Sequence, residues 1–306
     1  MYYIIINPAS KSGRGLYIWQ KLEPLLLEKK IPYQAMISKG KGDIAKLTSQ
    51  ITETVPDANL ILLGGDGTVN EALQGICDLE KASIGYIPTG SSNDLARDMR
   101  LSKDPVKILE MILSGVSHKA DLGTLSYGHN KNQQRYFAVS SGIGFDAAVC
   151  EEALSSRIKD ILNKLKLGKL TYLGIALKQL VVAKPISCEL YLDGGPAIHV
   201  DRFLFIASMI RQYEGGGFRF CPTANASDGL LDLCFVGNLP KLFILFALPT
   251  AFWGKHFIFP HIQHYRASQV EIKTSAPLWV HTDGEVSFQS DHIYLSCEKH
   301  KINFLL

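Results

Sequence analysis

The chain has 306 residues, with 32 Lys and Arg against 29 Asp and Glu and a formal net charge of +3. Apolar residues make up 46% and charged residues 20%, close to the average globular chain, which excludes wholesale disorder and fibrous repeats. So small a charge gives no electrostatic reason to expect nucleic-acid binding, and the length predicts two domains or one large α/β domain with insertions.

The opening MYYIIINPAS has no basic flank before its short apolar run, so it predicts a buried strand over 2–6 rather than a secretory leader. A polar Gly/Ser turn follows over 7–15, then a helix carrying Leu16, Trp19, Leu22, Leu26 and Leu27 at helical spacing. A second strand is expected at 33–37, a helix at 42–55, and a third strand at 59–63 that runs into Gly64-Gly65-Asp66-Gly67-Thr68. A helix over 69–77 and a strand over 84–87 complete the first part. This alternation predicts a doubly wound parallel sheet with helices on both faces.

The texture changes after residue 120. A polar loop is expected at 126–135, a helical insert at 151–183, and strands near 136–140, 187–193, 199–208, 230–236, 269–274, 278–282 and 291–297. Several of these alternate apolar with polar, as in half-buried antiparallel sheet. The expected organisation is an α/β domain over 1–121, a β-rich sandwich domain over 122–290, and a segment 291–306 that returns to the first domain. The six cysteines show no C-x-x-C spacing, which predicts reduced, buried thiols in a cytosolic protein rather than a disulfide framework or a zinc cluster. The longest apolar run, 242–253, is interrupted by Pro249 and falls short of the ~20 residues a membrane span needs. A soluble chain, or one attached to a membrane surface, is expected.

Two loops carry most of the chemistry. In Gly64-Gly65-Asp66-Gly67-Thr68-Val69-Asn70-Glu71 a buried strand ends and a helix begins. Glycines clear side chains from where a phosphate chain approaches, and the helix start offers unpaired N–H groups. Thr68 and Asn70 can donate hydrogen bonds. Asp66, an acid beside such a cradle, suits a metal-orienting group or a proton acceptor. The segment matches neither the Walker loop nor the Rossmann fingerprint. Pro88-Thr89-Gly90-Ser91-Ser92-Asn93-Asp94-Leu95-Ala96 likewise follows a strand and precedes a helix. Its ordinary reading is a helix cap, but in a doubly wound sheet it converges with the first loop and with the Asn7-Pro8 turn.

IINPASKSGRG, LLGGDGTVNEAL, IPTGSSNDLAR, GGGFRFCPTANASDGLLDL and HTDGE, in this order, resemble the diacylglycerol kinase catalytic family. Within it they resemble the bacterial soluble lipid kinases related to sphingosine and ceramide kinases. The resemblance spans essentially the whole chain and implies an NAD-kinase-like first domain and a β-sandwich second domain. It implies ATP-dependent, Mg2+-supported phosphorylation of a lipid hydroxyl of the diacylglycerol type. ATP contacts are implied at Asn7, Ser38, Gly64, Gly65, Asp66, Gly67, Thr68, Val69, Asn70 and Ser91; Ser38 and Ser91 stand where the family often has Thr. A structural Mg2+ is implied at Asp228 with the main chain of Asn225 and Leu230, where an Asp-Gly turn is the ordinary reading. A second Mg2+ is implied to arrive with ATP. The proton acceptor is implied at Glu285, with Asp66 as rival. Asp121 either joins this polar network or is a solvated linker residue.

Residues 157–184 hold seven basic side chains, Arg157, Lys159, Lys164, Lys166, Lys169, Lys178 and Lys184, against Asp160. With Ile158, Ile161, Leu162 and Leu165 at helical spacing they suit an anionic membrane surface, or simply a helix with a solvated basic face. The segment 242–253 with Phe257 and Phe259 is either lipid-facing or core. His256, His261 and His264 are expected on loops and surface rather than around zinc. Gly215-Gly216-Gly217 lets backbone approach a ligand, or forms a tight bulge. The implied partners are ATP and a lipid with a free hydroxyl, met at the inner face of the membrane, without nucleic acid; a homodimer is compatible with all of this. Two alternatives stay open: an NAD kinase or other small-molecule kinase sharing GGDGT, and a non-catalytic nucleotide- or lipid-binding regulator.

Overall fold

The structure, a computed structural model, describes residues 1–155, 174–175, 178–184 and 186–306. The first lobe is built on β1 (Tyr2–Ile6), β2 (Tyr33–Ile37), β3 (Asn59–Gly64) and β4 (Ser83–Pro88), ordered β4-β3-β1-β2 and all parallel. Between and after them run α1 (Arg14–Glu28), α2 (Asp43–Thr54), α3 (Asp66–Leu73), α4 (Asp94–Asp98) and α5 (Pro105–Leu113). Pleating sends successive side chains to opposite faces. Ile4, Ile6, Ile61 and Leu63 pack with Trp19 and Leu22 of α1 and Ile108 and Ile112 of α5. Ile5, Leu60 and Leu62 pack with Ile44 and Ile51 of α2 and Val69 and Leu73 of α3. With both faces covered, these strands read as unbroken apolar runs rather than alternating ones. Each fully buried Ile or Leu contributes roughly 1.5–3 kcal/mol.

The second lobe is β-rich. It holds β5 (Ser117–Tyr127), β6 (Gln133–Phe137), β7 (Ser140–Gly144), α6 (Phe145–Ser155), β8 (Ile186–Leu192) and β9 (Ile198–Met209). Then come β10 (Leu231–Gly237), α7 (Lys241–Thr250), short 3-10 turns at Ala251–Trp253 and His256–Ile258, β11 (Ile262–Ala267), β12 (Gln269–Thr282) and β13 (Glu285–Leu305). Pairing among these strands is antiparallel. Their inner faces bury Ile143, Leu190, Phe203, Ile206, Leu233, Phe235, Ile272 and Val280. An α/β lobe followed by a β-rich lobe is the expected fold class.

β13 ties the lobes together. It pairs antiparallel with β12 and β5, then lies parallel to β4 at Asn303 opposite Ser83 and Phe304 opposite Ile84. One hydrogen-bonded sheet therefore passes through the whole chain. Several details differ from the sequence reading. The polar stretch 126–135 is no simple loop, because β5 runs to Tyr127 and β6 starts at Gln133. Among the described residues β6 pairs only with β5, and such an edge tolerates Gln and Arg. β5 also crosses residues 121 and 122 without a break, and Asp121 is buried rather than solvated. Its carboxylate accepts from Gly229 N at 2.6 Å and His300 N at 2.8 Å. α5 and α7 were not anticipated. Cys188, Cys221 and Cys234 are buried, whereas Cys77 is exposed. Most of the basic stretch 157–184 lies outside the described residues.

Candidate active site

Parallel strands deliver the loops after their carboxyl ends to one side of the sheet. Asn7 after β1, Ser38 and Lys41 after β2, Gly65 to Thr68 after β3 and Gly90 to Asp94 after β4 line one cavity of about 600 Å3. The second lobe supplies the opposite wall with Ser140, Cys150, Glu214, Gly215, Asp283 and Glu285.

The loops are held tightly against one another. Asn7 Nδ2 donates to Thr68 Oγ1 at 3.0 Å, and Ser10 and Thr89 share a 2.6 Å hydroxyl bond. Gly65 and Gly90 touch through their backbones: a Cβ on Gly90 would lie 2.6 Å from Gly65 Cα. Ser38 and Ser91 line the cavity. Gly64, Val69 and Asn70 do not line it. Gly64 packs on Thr68, Val69 is in the core beneath α3, and the helix turns Asn70 toward the seam between the lobes. There Asn70 Nδ2 donates to Asp283 Oδ2 at 2.9 Å and to the Tyr136 carbonyl at 3.2 Å, while its Oδ1 accepts from Arg135 at 3.1 Å. These three support the cavity wall from behind.

Asp66 is fully engaged. It accepts from Asp94 N at 2.8 Å, Leu95 N at 3.3 Å and the Tyr86 hydroxyl at 3.3 Å. It thereby caps the short helix α4 from a distance in sequence and clamps the two glycine loops together. Burial, followed by repulsion from Asp94, pushes its carboxyl up to about 7. Asp94 binds Gly216 N at 2.7 Å and Arg97 at 2.7 Å. That contact explains the triple glycine: Gly217 has φ +114, and a Cβ there would meet Arg97 Nη1 at 2.4 Å.

Asp283 and Gly284 form the two-residue turn from β12 to β13, with φ 51 and 80; such turns demand positive φ. The Asp283 carboxylate accepts from the N–H groups of Ala138, Val139 and Ser140 at 2.8–3.0 Å, besides Asn70. Burial still raises its pKa despite these donors. The anchored turn aims Glu285 across the cavity. A Cβ on Gly67 would sit 2.6 Å from Glu285 Oε1, so the missing side chain at Gly67 is what admits the carboxylate. Glu285 keeps about a third of its side chain exposed, 32%, with Lys41 Nζ 4.0 Å away.

His281 is buried beneath this turn. Its Nδ1 accepts from Gly284 N at 3.2 Å, which places the ring proton on Nε2, 3.3 Å from Asp146 and 3.2 Å from Glu214. Cys150, Glu214 and His281 approach within 4.8 Å. Burial pushes the Cys150 thiol up to about 12, and a thiol beside a protonated Nε2 is not in ligand form. A hard cation fits the cavity better, since the wall offers oxygen donors and Glu214 Oε2 is buried with no hydrogen-bond partner among the described residues.

The Asp228 segment is held by other contacts in this structure. Asp228 pairs with Arg266 and accepts from Leu230 N at 3.0 Å, and the Asn225 carbonyl accepts from Ser227 N at 2.8 Å. None of Asn225, Asp228 and Leu230 lines the cavity. The histidine expectation changes. His256 is buried, bonded to the Phe220 carbonyl at 3.0 Å, and burial lowers its pKa to about 4. His264 pairs with Asp232 at 2.7 Å, leaving His261 exposed. Sequence reasoning missed Asp94, Glu214, His281 and Asp283 as site residues. Asp94 and Asp283 stood inside quoted motifs but read as turn formers, and nothing local marks Glu214 or His281.

Residues 1–125 match the family model of the diacylglycerol kinase catalytic domain, and residues 138–292 match that of the YegS C-terminal NAD kinase beta sandwich-like domain. A diacylglycerol kinase of Mycobacterium tuberculosis is 30% identical over 282 residues, covering 92% of this chain and 87% of that one. A diacylglycerol kinase of Staphylococcus carnosus is 28% identical over 302 residues, covering 97% and 92%. In fold, a crystal structure of a Bacillus anthracis diacylglycerol kinase superposes with TM-score 0.75 at 23% identity, over 99% of this chain and 96% of that one. An ATP-bound NAD kinase of Archaeoglobus fulgidus superposes with TM-score 0.55 at 14% identity, over 100% and 94%. The chain thus belongs to the diacylglycerol kinase family of lipid kinases.

Proposed function

We propose that the chain is cytoplasmic and transfers the γ-phosphate of ATP to the hydroxyl of a diacylglycerol-like lipid, transiently at the inner face of the membrane. The observation that carries this reading is Glu285, delivered by the second lobe against Gly67 of the phosphate-type loop. The N–H groups of Gly65 and Gly67, at the start of α3, and the hydroxyls of Ser38 and Ser91 would receive the phosphates. The cavity wall is rich in carboxylates, so a bare triphosphate would be repelled. Mg2+ bound with ATP supplies the neutralising charge, and Glu214 has the open oxygen to hold it.

Of the two rival bases, Asp66 already accepts three hydrogen bonds, whereas Glu285 faces the cavity partly exposed. Glu285 takes the hydroxyl proton as the acceptor oxygen bonds to the γ-phosphorus. The bond from that phosphorus to the bridging oxygen breaks, and ADP leaves. Glu285→Gln is expected to lower kcat by about 100-fold or more while leaving the melting temperature nearly unchanged. The test is radiolabelled ATP with a panel of lipids in mixed micelles, with NAD as a parallel acceptor. Label on NAD alone would favour an NAD kinase, and label on nothing would favour a non-catalytic regulator. Sedimentation of the purified chain reads whether it forms a homodimer.

A further inference from the structure

We propose that α7 and the two 3-10 turns after it form a surface that inserts into the headgroup region of an anionic bilayer and brings the cavity to its lipid. Its purpose rests on the lipid-kinase reading above; its geometry does not. One stripe of the segment, Ile244, Ala247 and Ala251, is buried in the second lobe's apolar cluster. A surface helix turns a polar face away from such a stripe. Here the other side carries Phe243, Phe246 and Trp253, 49%, 64% and 68% exposed. Phe252, in the same turn as Trp253, and Ile258, in the next, are 41% and 74% exposed, and both turns pack against α7. Exposed apolar side chains gathered in this way mark an interaction surface.

Charge identifies what covers it. Between Asp232 and Glu271 the chain has no acidic residue, but it has Lys241 and Lys255, while Arg266 is neutralised by Asp228 and Asp232. A second copy docked by two-fold symmetry would bring these lysines toward their own kind; an anionic bilayer brings the opposite charge. Trp and Phe also favour the headgroup boundary. Among the described residues no helix is long and apolar enough to cross a membrane. The patch is continuous with the cavity: Phe252 stacks on Phe218 at 3.9 Å, Phe218 pairs by backbone with Glu214, and Glu214 lines the cavity. A bilayer resting on the patch lies beside the cavity rim.

The test is sedimentation of the full chain with vesicles of phosphatidylglycerol or of phosphatidylcholine, comparing wild type with Phe246→Ser and Trp253→Ser. Wild type is expected to sediment with phosphatidylglycerol vesicles, with Trp253 emission shifted to the blue. Each substitution is expected to weaken partitioning about tenfold, as loss of one buried aromatic implies, with melting temperature unchanged. Phosphorylation of a short-chain diacylglycerol dissolved as monomers should be unaffected, while that of diacylglycerol in vesicles falls. Absence of wild-type retention, or retention that neither substitution alters, overturns the proposal. So does a dimer broken by Trp253→Ser without vesicle binding, which assigns the patch to a second copy. Retention lost in the variants, from a wild type that phosphorylates no lipid, supports the surface and overturns the kinase reading instead.

Discussion

The carboxylates around the cavity differ in what already holds them, and that decides what each can do. Asp283 and Asp66 are surrounded by donors and act as fixed struts; Glu285 is open. Asp66 also has a pH signature. Its ordinary value of 3.8 is pushed up to about 7 in the folded chain, chiefly by burial and then by Asp94. The folded state therefore binds more protons than the unfolded one between these values, and stability falls as pH rises through that window. The cost above pH 7 is up to about 4 kcal/mol. Asp66→Asn removes this titration. Its melting temperature should decline less steeply than that of wild type between about pH 5 and 8. Equal slopes in a thermal melt series would show that Asp66 does not titrate there.

At the scale of loops and turns, two glycines of the same cradle should fail differently. At Gly67 a new Cβ meets the far end of the Glu285 side chain, at 2.6 Å. Glu285 can swing aside, so Gly67→Ala should keep its stability yet lose up to about a hundredfold in kcat, the cost of a displaced catalytic group. At Gly90 the Cβ meets the backbone of Gly65, which cannot swing aside. Gly90→Ala should cost about 1–3 kcal/mol of stability, read by urea denaturation. A Gly67→Ala enzyme with full kcat would mean that Glu285 tolerates displacement and is not the base. These loops were legible in sequence because their chemistry is local: Gly, Asn and Asp clusters directly follow apolar strands. Their partners were not. Asp66 caps a helix that begins 28 residues later, and Arg266 reaches Asp228 across 38 residues. Composition cannot reveal such pairings. The edge position of β6 was equally hidden, which is why a polar stretch ending in a strand read as a loop. The buried triad of His281, Asp146 and Glu214 is assembled from three separate elements, and no spacing announces it.

For the whole molecule, the lobes share one hydrogen-bonded sheet, and polar contacts close the seam beside it. Arg211, 7% exposed at its side chain, donates to Asp98 Oδ2 at 3.0 Å and to the Ala138 carbonyl at 3.2 Å. Asp98 also accepts from Gln212 N at 3.0 Å. Removing one member of so buried a pair leaves an uncompensated charge, so Arg211→Met should cost about 3–5 kcal/mol. If β13 couples the lobes, that loss is felt by both together. Trp19 lies in the core beside β1 and Trp279 on β12, so variants retaining one tryptophan each report one lobe. Their urea transitions should coincide, as for a single cooperative unit, and Arg211→Met should move both to lower urea by the same amount. Two separated transitions, or a shift confined to the Trp279 signal, would mean that the shared sheet does not make the lobes one folding unit. The cleft between them would then be free to open without unfolding either side.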